Sequence, residues 1–206
     1  MIITIGRQHG SNGHAVAETL AKRLNIPCYS KEIVDRTARD SNFSHEVIQS
    51  YDEKRISPFI APTSQLFGMD EGFRLNMQIA SAQFDAIRSL ADEGDAVFVG
   101  RCADYVLRDE AGVFNVFIKA SKENRIQRII KLYNVDPLKA EEMIKKADKQ
   151  RAAYYNYYAT NTWGDVNNYD LCLDTGTLGV DGAVEVIASS LELRAAFENK
   201  KAIGEW

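Results

Sequence analysis

Three glycines, a serine and an asparagine fall within Gly6-Arg7-Gln8-His9-Gly10-Ser11-Asn12-Gly13-His14, between an apolar run and a helical pattern. Such a stretch suits an anion. Backbone N–H groups at a helix start are unpaired, the helix dipole favours negative charge, and glycine lets the backbone come close to phosphate oxygens. The Walker A pattern places Lys after its last glycine and then Ser or Thr. Taking Gly13 as that glycine puts His14 at the Lys position and Ala15 at the hydroxyl position; taking Asn12 puts Gly13 there. The competing reading is an ordinary glycine-rich connection of strand to helix.

Further along, Arg101 follows the run Val97-Phe98-Val99-Gly100. Groups just beyond the carboxyl end of a strand in an open α/β sheet face the ligand crevice, and an arginine fork holds a phosphate bidentately. A surface arginine at a strand end is the alternative. Arg125 and Arg128 stand three apart behind Ser121, and Asp148 and Arg151 three apart on a later segment. That spacing places each pair on one helical face, where such charges often serve only as a solvated surface. The run Tyr154-Tyr155-Asn156-Tyr157-Tyr158 reads as packing or as a surface on which a base stacks.

The elements that must position these residues follow from periodicity. Met1 to Ile5 is a β-branched strand, and Val16, Leu20, Ala21 and Leu24 line one face of the helix after the loop. Asn25-Ile26-Pro27 closes that helix. Ser30 is expected to cap a second, Lys31 to about Asp40, and Ser44 a third through Ile48. Residues 55 to 72 carry Pro58, Pro62 and Gly68 and read as a loop. An amphipathic helix over Phe73 to Leu90 leads into a buried strand, Ala96 to Val99. A further strand, Val113 to Ile118, precedes the helix capped by Ser121. Asp136-Pro137 is an N-cap followed by Pro at the first helical position, starting a helix that reaches about Tyr158. Tyr169 to Leu173 is the last strand and Val180 to Phe197 the last helix. Strands alternating with amphipathic helices predict an α/β fold with a mainly parallel sheet covered on both faces.

The chain has 206 residues, enough for one domain with excursions or two very small ones. A net charge of −4 gives no reason to expect a protein that coats nucleic acid or a membrane surface. Cys28, Cys102 and Cys172 are odd in number and unpaired in spacing, so they read as free thiols in a reducing compartment. No leader and no 18-residue apolar run is visible, and a cytoplasmic location is the expectation. Oligomeric state is not legible.

Taken in order, these segments resemble the cytidylate kinases, P-loop nucleoside-monophosphate kinases. The stretch from Val97 to Tyr105 resembles their Gly-Arg segment after a core strand. Asn115 to Ser121, with Arg125 and Arg128, resembles the strand and arginine-bearing lid entry, and Asp148-Lys149-Gln150-Arg151 the Asp-x-x-Arg element. Tyr169 to Thr175 resembles the final strand, and the start, Gly6 to Gly13 with Ile26-Pro27 and Tyr29, a divergent cytidylate-kinase-like branch. The resemblance implies a single P-loop kinase-like domain over residues 1–206, with an acceptor-side excursion over about 30–70 and a helical lid over about 121–158. It implies ATP and Mg²⁺ as cofactors and a small nucleotide as partner. Gly10, Ser11, Asn12, Gly13 and His14 would hold the donor phosphates. Arg125, Arg128 and His14 would serve catalysis, Arg101, Asp148 and Arg151 the acceptor nucleotide, and Asp104 the metal. The chain departs from typical members in lacking the loop Lys and in carrying Cys102 where they have Asp.

Overall fold

The structure, a computed structural model, describes residues 1–52 and 71–202. Five strands, β1 (Ile2–Arg7), β2 (Cys28–Tyr29), β3 (Ala96–Val99), β4 (Phe114–Lys119) and β5 (Leu171–Asp174), form one sheet in the order β2-β3-β1-β4-β5. Every recorded pairing is parallel. β1 therefore lies at the centre, and the loop that follows it opens onto the carboxyl edge of the sheet between β3 and β4. That edge is where an open parallel sheet binds its ligand.

The strands read as continuous apolar runs because both faces are covered. Successive side chains alternate between faces. Ile3, Ile5, Val97, Val99, Val116 and Ile118 pack on one side against α1 (Gly13–Leu24) and α8 (Thr175–Ala202). Phe98 packs on the other side with residues of α2 (Lys31–Asp40), α4 (Glu71–Asp92) and α7 (Pro137–Tyr158). Between these come α3 (His45–Tyr51), α5 (Ala103–Val106) and α6 (Lys122–Tyr133). Helices α6 and α7 also share a small cluster of their own, Ile129, Ala140 and Ile144, away from the sheet.

Helix starts follow the expected chemistry in three places. Ser44, Ser121 and Asp136 each accept a backbone N–H from three residues on. Ser30 does not; its side chain makes no cap bond, and Glu32 instead accepts the Ser30 N–H. Gly179 (φ 70°, ψ −174°) kinks α8, so a short helical turn from Thr175 precedes it and the main helix runs on from Val180, as expected. The short β2 and α5 carry too little periodicity to be read from sequence. Tyr154 and Tyr155 are buried in the core, which is the packing reading of the tyrosine run. The loop expected over residues 55 to 72 lies outside the described residues up to 70, and Glu71 and Gly72 belong to α4. The three cysteines are free thiols. Among the described residues, no helix is long and apolar enough to cross a membrane.

Candidate active site

The loop after β1 is stitched to the end of β4. Gln8 donates its N–H to the Ile118 carbonyl at 3.0 Å, and its side-chain oxygen accepts the Ala120 N–H at 3.2 Å. The Ser11 hydroxyl is fully buried, 2.8 Å from the Gln8 carbonyl and 3.0 Å from that of Ile118. Ser11 thus shapes the loop from beneath. Gly10 (φ 77°) and Asn12 (φ 60°) turn the backbone through the left-handed region, which glycine and asparagine tolerate best. The first intrahelical bond of α1 is Val16 N–H to the Asn12 carbonyl. The amides of Gly13, His14 and Ala15 find no acceptor among the described residues, and Asn12 supplies no side-chain cap. They open on a cleft lined by Gln8, His9, Gly10, Lys31 and Arg151 among others.

Three arginines from α6 and α7 reach this loop. Arg125 donates from Nη1 to Asp148 Oδ2 at 2.5 Å and to the His9 carbonyl at 3.3 Å. Its Nε is buried without an acceptor among the described residues. Arg128 donates to the Gly10 carbonyl at 3.3 Å, to Thr175 Oγ1 at 2.9 Å and to the Thr175 carbonyl at 2.8 Å. Arg151 reaches the Arg7 carbonyl at 3.4 Å. Gly10 is glycine partly for this approach, since a Cβ there would stand 3.1 Å from the Arg125 carbonyl and 3.2 Å from its Cβ. Burial, above all, and the guanidinium groups of Arg151, Arg125 and Arg7 hold the His9 ring below the ordinary histidine pKa, against the opposing pull of Asp148.

Asp148 and Arg151 do point to one region, as their spacing on a helical face requires. Asp148, however, faces the loop: its Oδ1 accepts the His9 N–H at 2.7 Å while Arg125 holds Oδ2. Arg101 lies elsewhere, in a small pocket at the carboxyl ends of β1 and β3 that it shares with Arg7, Asp104, Arg151 and Tyr155. Gly100, Arg101 and Cys102 all have positive φ (75°, 52° and 58°). Two of these are not glycine, a strained turn of the sort that persists where neighbours over-determine it. The Arg101 fork grips Asp52 through Nε at 2.7 Å and Nη2 at 2.5 Å. The same carboxylate accepts from Gln83, whose amide oxygen takes the Tyr154 hydroxyl. The structure therefore brings Arg101 together with Arg151 and not with Asp148.

His14 is 56% exposed, with Nε2 3.2 Å from Glu18 one turn along α1. Asp104 accepts the Tyr155 hydroxyl at 2.7 Å, and burial still pushes its carboxyl pKa up. Among the described residues no three His, Cys, Asp or Glu side chains converge as a metal site requires.

Sequence reasoning assigned no role to Thr175 or Asp52. Thr175 is 1% exposed, donates to the Ser11 carbonyl at 2.6 Å and accepts from Arg128, so it ties α6 to the loop. Its place just past β5, at the carboxyl edge, is the signal that marks it. Nothing local marks Asp52, whose partner is 49 residues away.

Residues 2–177 match the model of the cytidylate kinase-like family. Cytidylate kinase from Methanocaldococcus jannaschii is 24% identical over 197 residues, spanning 93% of this chain and 98% of that protein. A crystal structure of an uncharacterized protein from Eubacterium ventriosum superposes with a TM-score of 0.72 at 34% identity, over 93% of this chain and 98% of that one. Shikimate kinase from Bacteroides thetaiotaomicron has the same fold, with a TM-score of 0.55 at 12% identity over 93% and 98% of the two chains.

Proposed function

Because the chain belongs to the cytidylate kinase-like family, we propose that it transfers a phosphoryl group from ATP to a nucleoside monophosphate, with CMP or dCMP as the favoured acceptor. One observation carries this reading: amides at the start of α1 with no acceptor among the described residues open beside the loop on which Arg125 of α6 docks, and the buried Nε of that arginine also lacks an acceptor among the described residues. Buried donors without acceptors are costly, by about 1–3 kcal/mol each, and phosphate oxygens relieve that cost.

Phosphoryl transfer asks a protein for positioning and electrostatic stabilisation. The amides of Gly13, His14 and Ala15 hold donor phosphates at the positive end of α1. Arg125 offers its Nε–H, and Arg128, anchored on Thr175, adds charge beside the Gly10 carbonyl. Arg151 faces the strand-end pocket and receives the acceptor phosphate, with Asp148 one turn away, while Arg101, its fork held on Asp52, lines the same pocket and adds positive charge to it. We read 121–158 as a lid, whose arginines meet the phosphates on closure. The described residues do not fit a Mg²⁺ site: Ala15 carries no hydroxyl, and Asp104 is half-buried, takes the Tyr155 hydroxyl and has its carboxyl pKa raised.

A coupled assay of ADP formation across a panel of nucleoside monophosphates tests the proposal. CMP and dCMP should exceed the other acceptors by at least ~10-fold in kcat/KM, about 1.4 kcal/mol. A second reading, a nucleotide-binding regulator with little catalysis, is favoured by the turn of His14 toward Glu18. ATP binding without turnover on any acceptor, including other small hydroxyl or phosphate compounds, would select it.

A further inference from the structure

We propose that Arg7 is a catalytic residue that contacts the transferred phosphoryl group, supplying from the end of β1 the cation that the loop lacks at its lysine position. This rests on the kinase reading above.

The first observation is steric. A Cβ on Gly13 would stand 2.5 Å from Arg7 Cβ and 3.0 Å from Arg7 Cγ. Gly13 is not among the positive-φ glycines, so backbone conformation does not explain it. Glycine is required there because the stem of Arg7 packs against the first residue of α1. Arg7 lines the same cleft as Gly13, His14 and Ala15.

The second is topological. The loop cleft and the strand-end pocket have two lining residues in common, Arg7 and Arg151. A cation at that junction lies between donor and acceptor phosphates. In the transfer, the bond from the γ-phosphorus to the β–γ bridging oxygen breaks as a bond to an acceptor phosphate oxygen forms. Arg7 exchanges no proton; its fork spreads over oxygens on either side of the moving group.

The third is rigidity. Arg7 is the last residue of β1 and is paired with Ile118 of β4. It is held by the central strand, in contrast to Arg125 and Arg128 on α6. His14, by comparison, lies exposed along α1 against Glu18.

The test uses Arg7→Met, which keeps an aliphatic stem over Gly13 and removes the charge, and Arg7→Gln beside it so that one folded variant is in hand. Binding of inorganic tripolyphosphate is measured by calorimetry and transfer from ATP to CMP by the coupled assay, with melting curves to confirm folding. The expected result is a loss of about 100-fold in kcat and about 10-fold in tripolyphosphate affinity, partly restored in Arg7→Lys. Wild-type binding and turnover in a folded variant would overturn the assignment while leaving the kinase reading intact. A wild-type protein that binds tripolyphosphate through Arg7 yet phosphorylates no nucleotide would do the reverse, sustaining the Arg7 contact and removing the kinase reading.

Discussion

Asp148 and Arg125 meet over the glycine-rich loop, carboxylate to guanidinium at 2.5 Å, while the other carboxylate oxygen takes the His9 amide at 2.7 Å. A single internal anion thus satisfies a loop N–H and an arginine, two groups of the kind that hold phosphate. It also ties α6, α7 and the loop into one unit, at side chains only 11% and 17% exposed.

Asp148→Asn should therefore lower stability. Half-buried charge pairs leave an uncompensated group when one partner is neutralised, and a cost of about 1–3 kcal/mol is expected here. Urea denaturation measures it; an unchanged midpoint would show that the pair contributes nothing beyond a surface contact.

Thr175→Val removes a hydroxyl that serves both the Ser11 carbonyl and Arg128, at nearly constant volume. We expect a fall in stability of about 1–3 kcal/mol from the stranded buried partners. Arg128 loses its hydroxyl contact at the same time and keeps only the Thr175 carbonyl, so kcat should drop about 10-fold with little change in the acceptor KM. Steady-state kinetics separate the two parameters, and a selective rise in KM would contradict the anchoring role.

Arg151→Ala probes the acceptor side. The acceptor KM should rise, or turnover fall, by at least ~10-fold, about 1.4 kcal/mol, with ATP binding nearly unchanged. A silent substitution in an active enzyme would reduce Arg151 to packing against the Arg7 carbonyl.

His9 gives a pH dependence. Its folded pKa lies below the unfolded value near 6.5, through burial and the surrounding guanidinium groups. The unfolded ring therefore takes a proton first, so its contribution is complete above pH 6.5 and is lost as pH falls toward the folded pKa. Melting temperature should decline between pH 7 and 5, and His9→Asn should flatten that decline. Parallel curves for the two proteins would mean that the ring titrates as it does in water.

The amino-acid sequence alone determines the order of elements, the glycine-rich loop between β1 and α1, and helix starts such as Ser121 and Asp136-Pro137. These rest on local physics: apolar periodicity, backbone freedom and side-chain caps act within a few residues. The grouping of Arg125, Arg128 and Arg151 around the loop was legible only as a set of helical pairs whose partners lay undetermined. Tertiary structure decided that Asp148 binds the loop amide of His9, 139 residues away, while Arg101 closes on Asp52. It also decided that Thr175 braces Arg128 and that Gly13 is glycine for the sake of the Arg7 stem. Each of these depends on the parallel order β2-β3-β1-β4-β5, which sets strand ends distant in sequence side by side, and no local propensity encodes that adjacency.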